Sequence, residues 1–571
     1  MDKLYEQIQI AEHWLKCGDL AQAQSLLESI VRESPKSVPA TKLLASILAY
    51  EGKLQQATDL LLKIVRHPDC SASIKIALGD LYLEQGNFEH AAYHYTSALE
   101  MVEPFFEVLH NLGLAYAKLF LFKESVEQFK KAGLINPGSF ELQINFGAAL
   151  KNLGQYSESL EHLLEAEKIR PHDPRVWLNK GVTLEALDRQ SEALACYQTA
   201  IDLDPGYLEA HCNKANSFMV TGKYEEALKA FYQALTLKPD DPDTLYNLSF
   251  LQLSQGNYAD GWQNYEYRWR RENAPKKPFN HIAALINLDD LTNKNILVWS
   301  EQGLGDSLQF CRYIPELVEM GAAITVATQP QLIEVLKTLK GIKRVISISE
   351  RSPAEFDYQV SMLSLPFLFE QALISTPSTV PYLFANPNKT QAWHKQLKNL
   401  MGIKVGLVWN GGFRVNQPEL WAINARRNIS LATIAKLKDI AGIQFFSLQK
   451  GEPAESELFQ EKITIWPNDN LSIFTPALET FEDTAALIEN LDLVITVDTS
   501  TAHLAGALGK PVWILNRYDA CWRWLINQET SHWYPSARLF NQPTPGNWDA
   551  VMEMVEVALR NWVSSHPTSC N

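Results

Sequence analysis

Asp492 to Trp513 reads DLVITVDTSTAHLAGALGKPVW. Leu493 to Val497 is a run of β-branched and apolar residues, the pattern of a strand buried on both faces of a parallel sheet. A polar Asp-Thr-Ser-Thr turn follows, then Ala502 to Leu508 as a helix of small residues, then a second strand. Such a unit aims the free N–H groups of a helix N-terminus at whatever lies above the strand's carboxyl end, and a diphosphate suits that place. The alternative is an ordinary βα unit whose Asp498 and Thr499 only cap a helix. What surrounds the unit decides between the two.

At 571 residues the chain exceeds one compact core, and its length implies three or four domains. With 51 Lys+Arg against 66 Asp+Glu, the net charge of −15 argues against nucleic acid or an anionic membrane surface as the main partner. No stretch approaches the roughly twenty apolar residues that span a bilayer, and MDKLYEQIQIAEHWLK is amphipathic rather than signal-like, so a cytoplasmic protein is expected. Cys17, Cys70, Cys196, Cys212, Cys311, Cys521 and Cys570 are scattered and form no C-x-x-C pair, which argues against disulfides and a zinc site.

From Leu4 to Arg271 the chain repeats with a period of 34 and no insertion. Position eight is always small: Ala11, Ala45, Gly79, Gly113, Gly147, Gly181, Ala215, Ser249. So is position twenty: Ala23, Ala57, Ala91, Ser125, Ser159, Ala193, Ala227, Gly261. Helices cross closely only where both lack bulk, so these residues mark the crossing within each helical pair. Position twenty-four is large (Leu27, Leu61, Tyr95, Phe129, Leu163, Tyr197, Phe231, Tyr265) and is expected to fill the space between neighbouring pairs. Pro35, Pro137, Pro171, Pro205 and Pro239 stop the second helix. The pattern resembles the tetratricopeptide repeat over seven full units and a partial eighth, which implies a right-handed α superhelix whose groove takes peptide.

Position six, on the inward face, is Asn111, Asn145, Asn179, Asn213 and Asn247 in five consecutive units. An amide offers one acceptor and two donors, so a ladder of them can bond a peptide backbone whatever its side chains. The same amides can also bond within the repeat, and both readings stand at this point. Units one to three carry Gln9, Leu43 and Ala77 instead.

After Arg271 the composition changes and a new region opens near Asn295. Ile296–Trp299 reads as a strand, Gln302-Gly-Leu-Gly-Asp306 as a glycine-rich turn, and Ser307–Met320 as a helix. Strand 323–327, helix 331–339 and strand 345–348 continue the alternation. It restarts with strand 404–409, helix 431–440, strand 443–448, and a helix 483–490 capped by its own Asp483, leading to the opening strand. The expected organisation is a repeat superhelix at 1–272, a linker at 273–293, an acceptor-side Rossmann-like domain at 294–395, and a donor-side Rossmann-like domain with a C-terminal helix at 396–571.

The order GLGDSLQF, GLVWNGG, RRNISL, FFSLQKGE and DTAALIENLDLVITVDTSTAHLAGALGKPVW resembles the glycosyltransferases of heptosyltransferase type with the GT-B fold. With repeats in front, the architecture is similar to bacterial repeat-containing protein glycosyltransferases, including those that modify flagellin, and it parallels the O-linked N-acetylglucosamine transferases. The resemblance implies a nucleotide-sugar donor as substrate with no further cofactor, and a protein or peptide acceptor such as flagellin. It implies Asp306 as general base. Donor binding is assigned to Gly303, Gly305, Arg427, Lys450, Asp498, Thr499, Ser500, Thr501 and His503, with Arg427 and Lys450 beside the phosphates. Ser500 stands where the family more often has Gly. No Asp-x-Asp pair follows Asn293, so no metal site is expected, and the resemblance implies inverting transfer. Trp409, Trp513 and the Trp522-Arg523-Trp524 cluster could stack on base or sugar, but aromatic residues beside strands are core more often than ligand, and they are left out of the site. Against this enzyme stand two other readings: a repeat adaptor that senses nucleotide sugars without chemistry, and a lipopolysaccharide glycan transferase.

Overall fold

The computed structural model describes residues 2–65, 70–350, 356–371, 377, 379–412 and 421–565. An all-helical repeat region is followed by an α/β region of two parallel sheets. The chain divides into two compact units, 1–205 and 206–571.

Helices run in pairs from Asp2–Cys17 to Tyr258–Tyr265. Each pair crosses where the small positions meet: Ser125 Oγ donates to the Gly113 carbonyl at 2.8 Å and Ser159 Oγ to the Gly147 carbonyl at 2.7 Å. The large residue at position twenty-four does more than fill the space between pairs. It lies first against position eight of its own pair, where a Cβ on Gly79 or Gly113 would sit 2.6 Å from the ring of Tyr95 or Phe129. Phe129 also reaches the next pair, with its ring centroid 6.0 Å from that of Phe146.

The second unit holds the last two helical pairs and both sheets. The first sheet comprises β1 (Asn295–Trp299), β2 (Ala323–Thr328), β3 (Arg344–Ser347) and β4 (Tyr358–Ser361), in the order β3-β2-β1-β4. The second comprises β5 (Ile403–Val408), β6 (Ile443–Ser447), β7 (Leu471–Ile473), β8 (Leu493–Val497), β9 (Val512–Asn516) and β10 (Ala537–Asn541), in the order β10-β9-β8-β5-β6-β7. All these pairings are parallel. Counted from β5, the second order is the doubly wound one in which β5 and β8 are neighbours whose crossovers leave on opposite faces; ligands in such sheets bind above that switch point. Every residue of β8 and β9 is buried, as their apolar runs require.

Three local expectations are corrected. The helix expected over 307–320 is two helices, Leu304–Phe310 and Ile314–Glu319, joined by a 3-10 turn at Cys311–Tyr313. Pro315 has no N–H to donate to the Cys311 carbonyl and so cannot continue the first helix, but it is tolerated in the first turn of the second, where Ile314 is already helical. The stretch expected as one helix over 431–440 is a single α turn, Leu431–Ile434, followed by a 3-10 turn. Asp483 is not the cap of its helix: Thr480 is, and Asp483 sits three residues on, accepting from the Thr480 N–H at 2.9 Å in a reciprocal box.

The last repeats pack on both sheets' regions. Ile526 N–H donates to the Ser254 carbonyl at 3.0 Å, and the Trp262 and Trp522 rings stand 5.2 Å apart, edge to face. On the first-sheet side, Gln302 Nε2 donates to the Tyr265 hydroxyl at 3.1 Å, and buried Arg268 donates to both oxygens of Glu301 at 2.9 Å. Among the described residues no helix is long and apolar enough to cross a membrane. Six cysteines are free thiols; Cys570 lies outside the described residues.

Candidate active site

The loops after β1, β5 and β8 converge where the two sheets' carboxyl ends face each other. After β8 the chain passes Asp498 and turns extended at Thr499, which precedes the helix Ser500–Ala507. Thr499 makes no side-chain cap bond; its Oγ1 lies 3.0 Å from Thr496 Oγ1 instead. The N–H groups of the first turn are therefore not consumed by that cap. Ser500 is half-buried, and Thr501 and His503 are buried.

After β1, Gly303 caps the helix Leu304–Phe310, and Asp306 Oδ2 accepts the Gly303 N–H at 2.8 Å. Asp306 thus takes part in capping this helix, but with one carboxylate oxygen only. Gly305 is where the two halves touch: a Cβ there would lie 2.9 Å from the His503 ring and 3.5 Å from the Ser500 Cα. Gly305 lets the helices approach.

His503 is buried with Nδ1 3.0 Å from the Tyr534 hydroxyl, and its ring stacks on Trp524 at 5.3 Å. Burial pushes its pKa down to about 3, Arg523 and Arg312 push the same way, and Asp498 opposes them. At neutral pH it is an uncharged hydrogen-bonding group, not a phosphate-binding cation.

Arg427 joins the loops after β5 and β8. Its Nη1 donates to the Asp498 carbonyl at 3.2 Å and its Nη2 to Asn424 Oδ1 at 2.7 Å, with the guanidinium against Gly411. It thus stands over the switch point. Lys450 is exposed at the end of β6 and donates to the Thr475 carbonyl at 3.0 Å, on the β7 side. Gln449 beside it ties the β5 loop instead, accepting from the N–H groups of Trp409 and Asn410 at 3.1 and 3.0 Å.

Arg523 is the residue that sequence reasoning set aside with its flanking tryptophans. Its Nη2 donates to Asp306 Oδ1 from across the interface between the two sheets' helices. Burial disfavours its charge, but neighbouring anionic groups including Asp306 and Asp498 outweigh that and hold it firmly protonated. Its partner lies far away in sequence, so the only local signal was a cation between two tryptophans. Among the described residues no group of three or more His, Cys, Asp or Glu is placed to hold a metal ion.

A carboxylate, two guanidinium groups and a helix N-terminus at the ends of two parallel sheets can bind a phosphorylated ligand and take a proton from a hydroxyl beside it. Residues 467–517, covering β7 to β9, match glycosyltransferase family 9 (heptosyltransferase), and residues 106–138, 145–207 and 208–241 match tetratricopeptide repeats. The chain carries tetratricopeptide repeats and a glycosyltransferase family 9 segment. That segment supplies β8, the Asp498–Thr501 turn and the helix bearing His503. Protein FlbA of Caulobacter vibrioides is 26% identical over 349 residues, 57% of this chain and 56% of FlbA. The chain therefore spans about half the length of the curated relative it matches. Of solved structures, YrrB, a repeat protein with an unusual peptide-binding site, is 21% identical over 32% of this chain and 95% of its own, with a TM-score of 0.30. A tetratricopeptide repeat protein from Parabacteroides merdae is 20% identical over 44% of this chain and 100% of its own, with a TM-score of 0.36.

Proposed function

We propose that the chain is a glycosyltransferase that moves a sugar from a nucleotide donor to Ser or Thr hydroxyls of a protein bound by the repeats. The observation that carries this is a coincidence of place. The family 9 segment is the strand, turn and helix at the switch point of the second sheet, and the helix that carries Asp306 packs against it from the first through Gly305. The acceptor oxygen forms its bond to the anomeric carbon on the face away from the diphosphate. The carbon–oxygen bond to phosphate breaks, its electron pair leaves with the diphosphate, the hydroxyl proton passes to Asp306, and the anomeric centre inverts. N–H groups at Ser500 and Thr501 and the guanidinium of Arg427 meet the charge that builds on the leaving group. Positive charge thus comes from side chains, and the proposed reaction runs in the presence of a chelator.

A protein acceptor is supported by the repeats and by the amides at position six. The experiment is to incubate the full chain and EDTA with uridine, cytidine, adenosine and guanosine diphosphate sugars and a Ser/Thr peptide library. Intact-mass analysis should show one added sugar on peptide and an equal release of nucleoside diphosphate. Transfer to lipid acceptors alone would reject the protein acceptor, and neither transfer nor donor binding with any sugar would reject the enzyme.

A further inference from the structure

The guanidinium of Arg523 is fixed on three sides by groups other than carboxylates. Nε donates to Gln309 Oε1 at 2.7 Å, Nη1 to Cys521 Sγ at 3.0 Å, and the Trp522 ring centroid lies 4.4 Å away. Its remaining edge is ion-paired with Asp306, the carboxylate proposed as base. The side chains are 11% and 18% exposed, so the pair sits at the rim of the buried interface rather than sealed within it. With Oδ1 on Arg523 and Oδ2 on the Gly303 N–H, both oxygens of Asp306 are already engaged.

We propose that the Asp306–Arg523 pair is a latch: the diphosphate of the donor takes Arg523 from Asp306, so that one event seats the leaving group and frees the base. The inference rests on the glycosyl transfer proposed above. Phosphate and carboxylate oxygens compete for the same planar fork of donors. Exchanging one anion for the other keeps Arg523 paired throughout, which avoids the heavy cost of an unpaired buried charge. Arg523 stays aimed because Gln309, Cys521 and Trp522 hold it independently of Asp306. Asp306 keeps its second anchor, the Gly303 N–H, when the first is lost. His503 does not compete for the phosphates as a cation, being neutral. The exchange imposes an order in which donor precedes acceptor.

Titration calorimetry with inorganic pyrophosphate on the full chain tests this. Asp306→Asn, which removes the competing charge, should tighten pyrophosphate binding about tenfold, and Arg523→Gln should weaken it by at least about tenfold. Unchanged or weaker binding by Asp306→Asn, or unchanged binding by Arg523→Gln, overturns the latch. If Arg523→Gln does not fold, Arg523→Lys, which keeps the charge and loses the fork, replaces it, with weaker binding again expected and unchanged binding overturning the idea. Opposite shifts in the two variants without sugar transfer by the wild type would leave the exchange standing and the proposed function rejected. Transfer with pyrophosphate binding unmoved in both variants would do the reverse.

Discussion

Nδ1 of His503 lies 3.0 Å from the hydroxyl oxygen of Tyr534, and the imidazole is closed in by Trp524 on its face. Its pKa falls from the ordinary 6.5 to about 3, chiefly by burial. Between those values the unfolded chain binds a proton that the folded one does not, so stability rises with pH through this window and is lost as pH falls. Above the ordinary value both states are neutral and the residue adds no pH dependence. Relative to His503→Gln, the wild type should lose about 3 kcal/mol between roughly pH 6.5 and pH 4. Urea unfolding of both proteins across that range measures it; parallel curves would show that the imidazole is protonated in the fold.

Asp306→Asn keeps the size and the Gly303 bond but cannot take a proton. The kcat for transfer should fall by about 10²- to 10⁴-fold, the usual range for a general base. Donor affinity should not fall with it. Stopped assays of nucleoside diphosphate release give the first number and thermal shift with donor the second. A variant as fast as the wild type would remove Asp306 from the reaction.

Two glycines of the repeat should respond to alanine with opposite signs. A Cβ on Gly79 would stand 2.6 Å from the Tyr95 ring, and that ring is anchored by its hydroxyl, which donates to Asp80 Oδ1 at 2.6 Å. Gly79→Ala should cost about 1–3 kcal/mol through overpacking. Gly133 lies inside the helix Phe122–Ile135 with only an ordinary 3.7 Å contact to Leu142, so Gly133→Ala should stabilise by up to about 1 kcal/mol. Denaturation midpoints followed by helical ellipticity distinguish them, and equal shifts would contradict the described crossing.

The repeat and the strand cores were legible because both are periodic: small residues every 34 positions, and apolar runs such as Leu493–Val497 that only a twice-covered strand needs. The expectation for β8 coincides with the observed strand. Helix lengths were less legible where proline intervened, as at Pro315, or where a Thr-x-x-Asp box shifted the cap from Asp483 to Thr480. Strands β4, β7 and β10 escaped notice: β7 has three residues, and β10 alternates an exposed Arg538 with buried neighbours. At the candidate site, the turn residues Gly303, Asp306 and Asp498–Thr501 could be placed because they follow strands directly. Arg523 could not, since only folding brings it to Asp306, and two flanking tryptophans read equally well as core.

The asparagines at position six carry the last prediction, because the structure gives three of them internal work. Asn111 donates to Asp80 Oδ1 at 3.2 Å, Asn145 Nδ2 lies 3.2 Å from His110 Nε2, and Asn179 donates to the Arg175 carbonyl at 2.8 Å. All five are half-buried. An amide has one acceptor and two donors, and these bonds do not exhaust it, even at Asn111, whose Oδ1 also lies 3.4 Å from His110 Nδ1. If the ladder also grips an acceptor backbone, replacing Asn111, Asn145 and Asn179 by Ala removes up to three bonds of about 0.5–1.5 kcal/mol each. Acceptor-peptide affinity should then fall by about tenfold or more while donor affinity stays unchanged. Fluorescence anisotropy with a labelled acceptor peptide, alongside the melting temperature, separates the two roles. A lowered melting temperature with unaltered peptide affinity would assign these amides to the repeat alone.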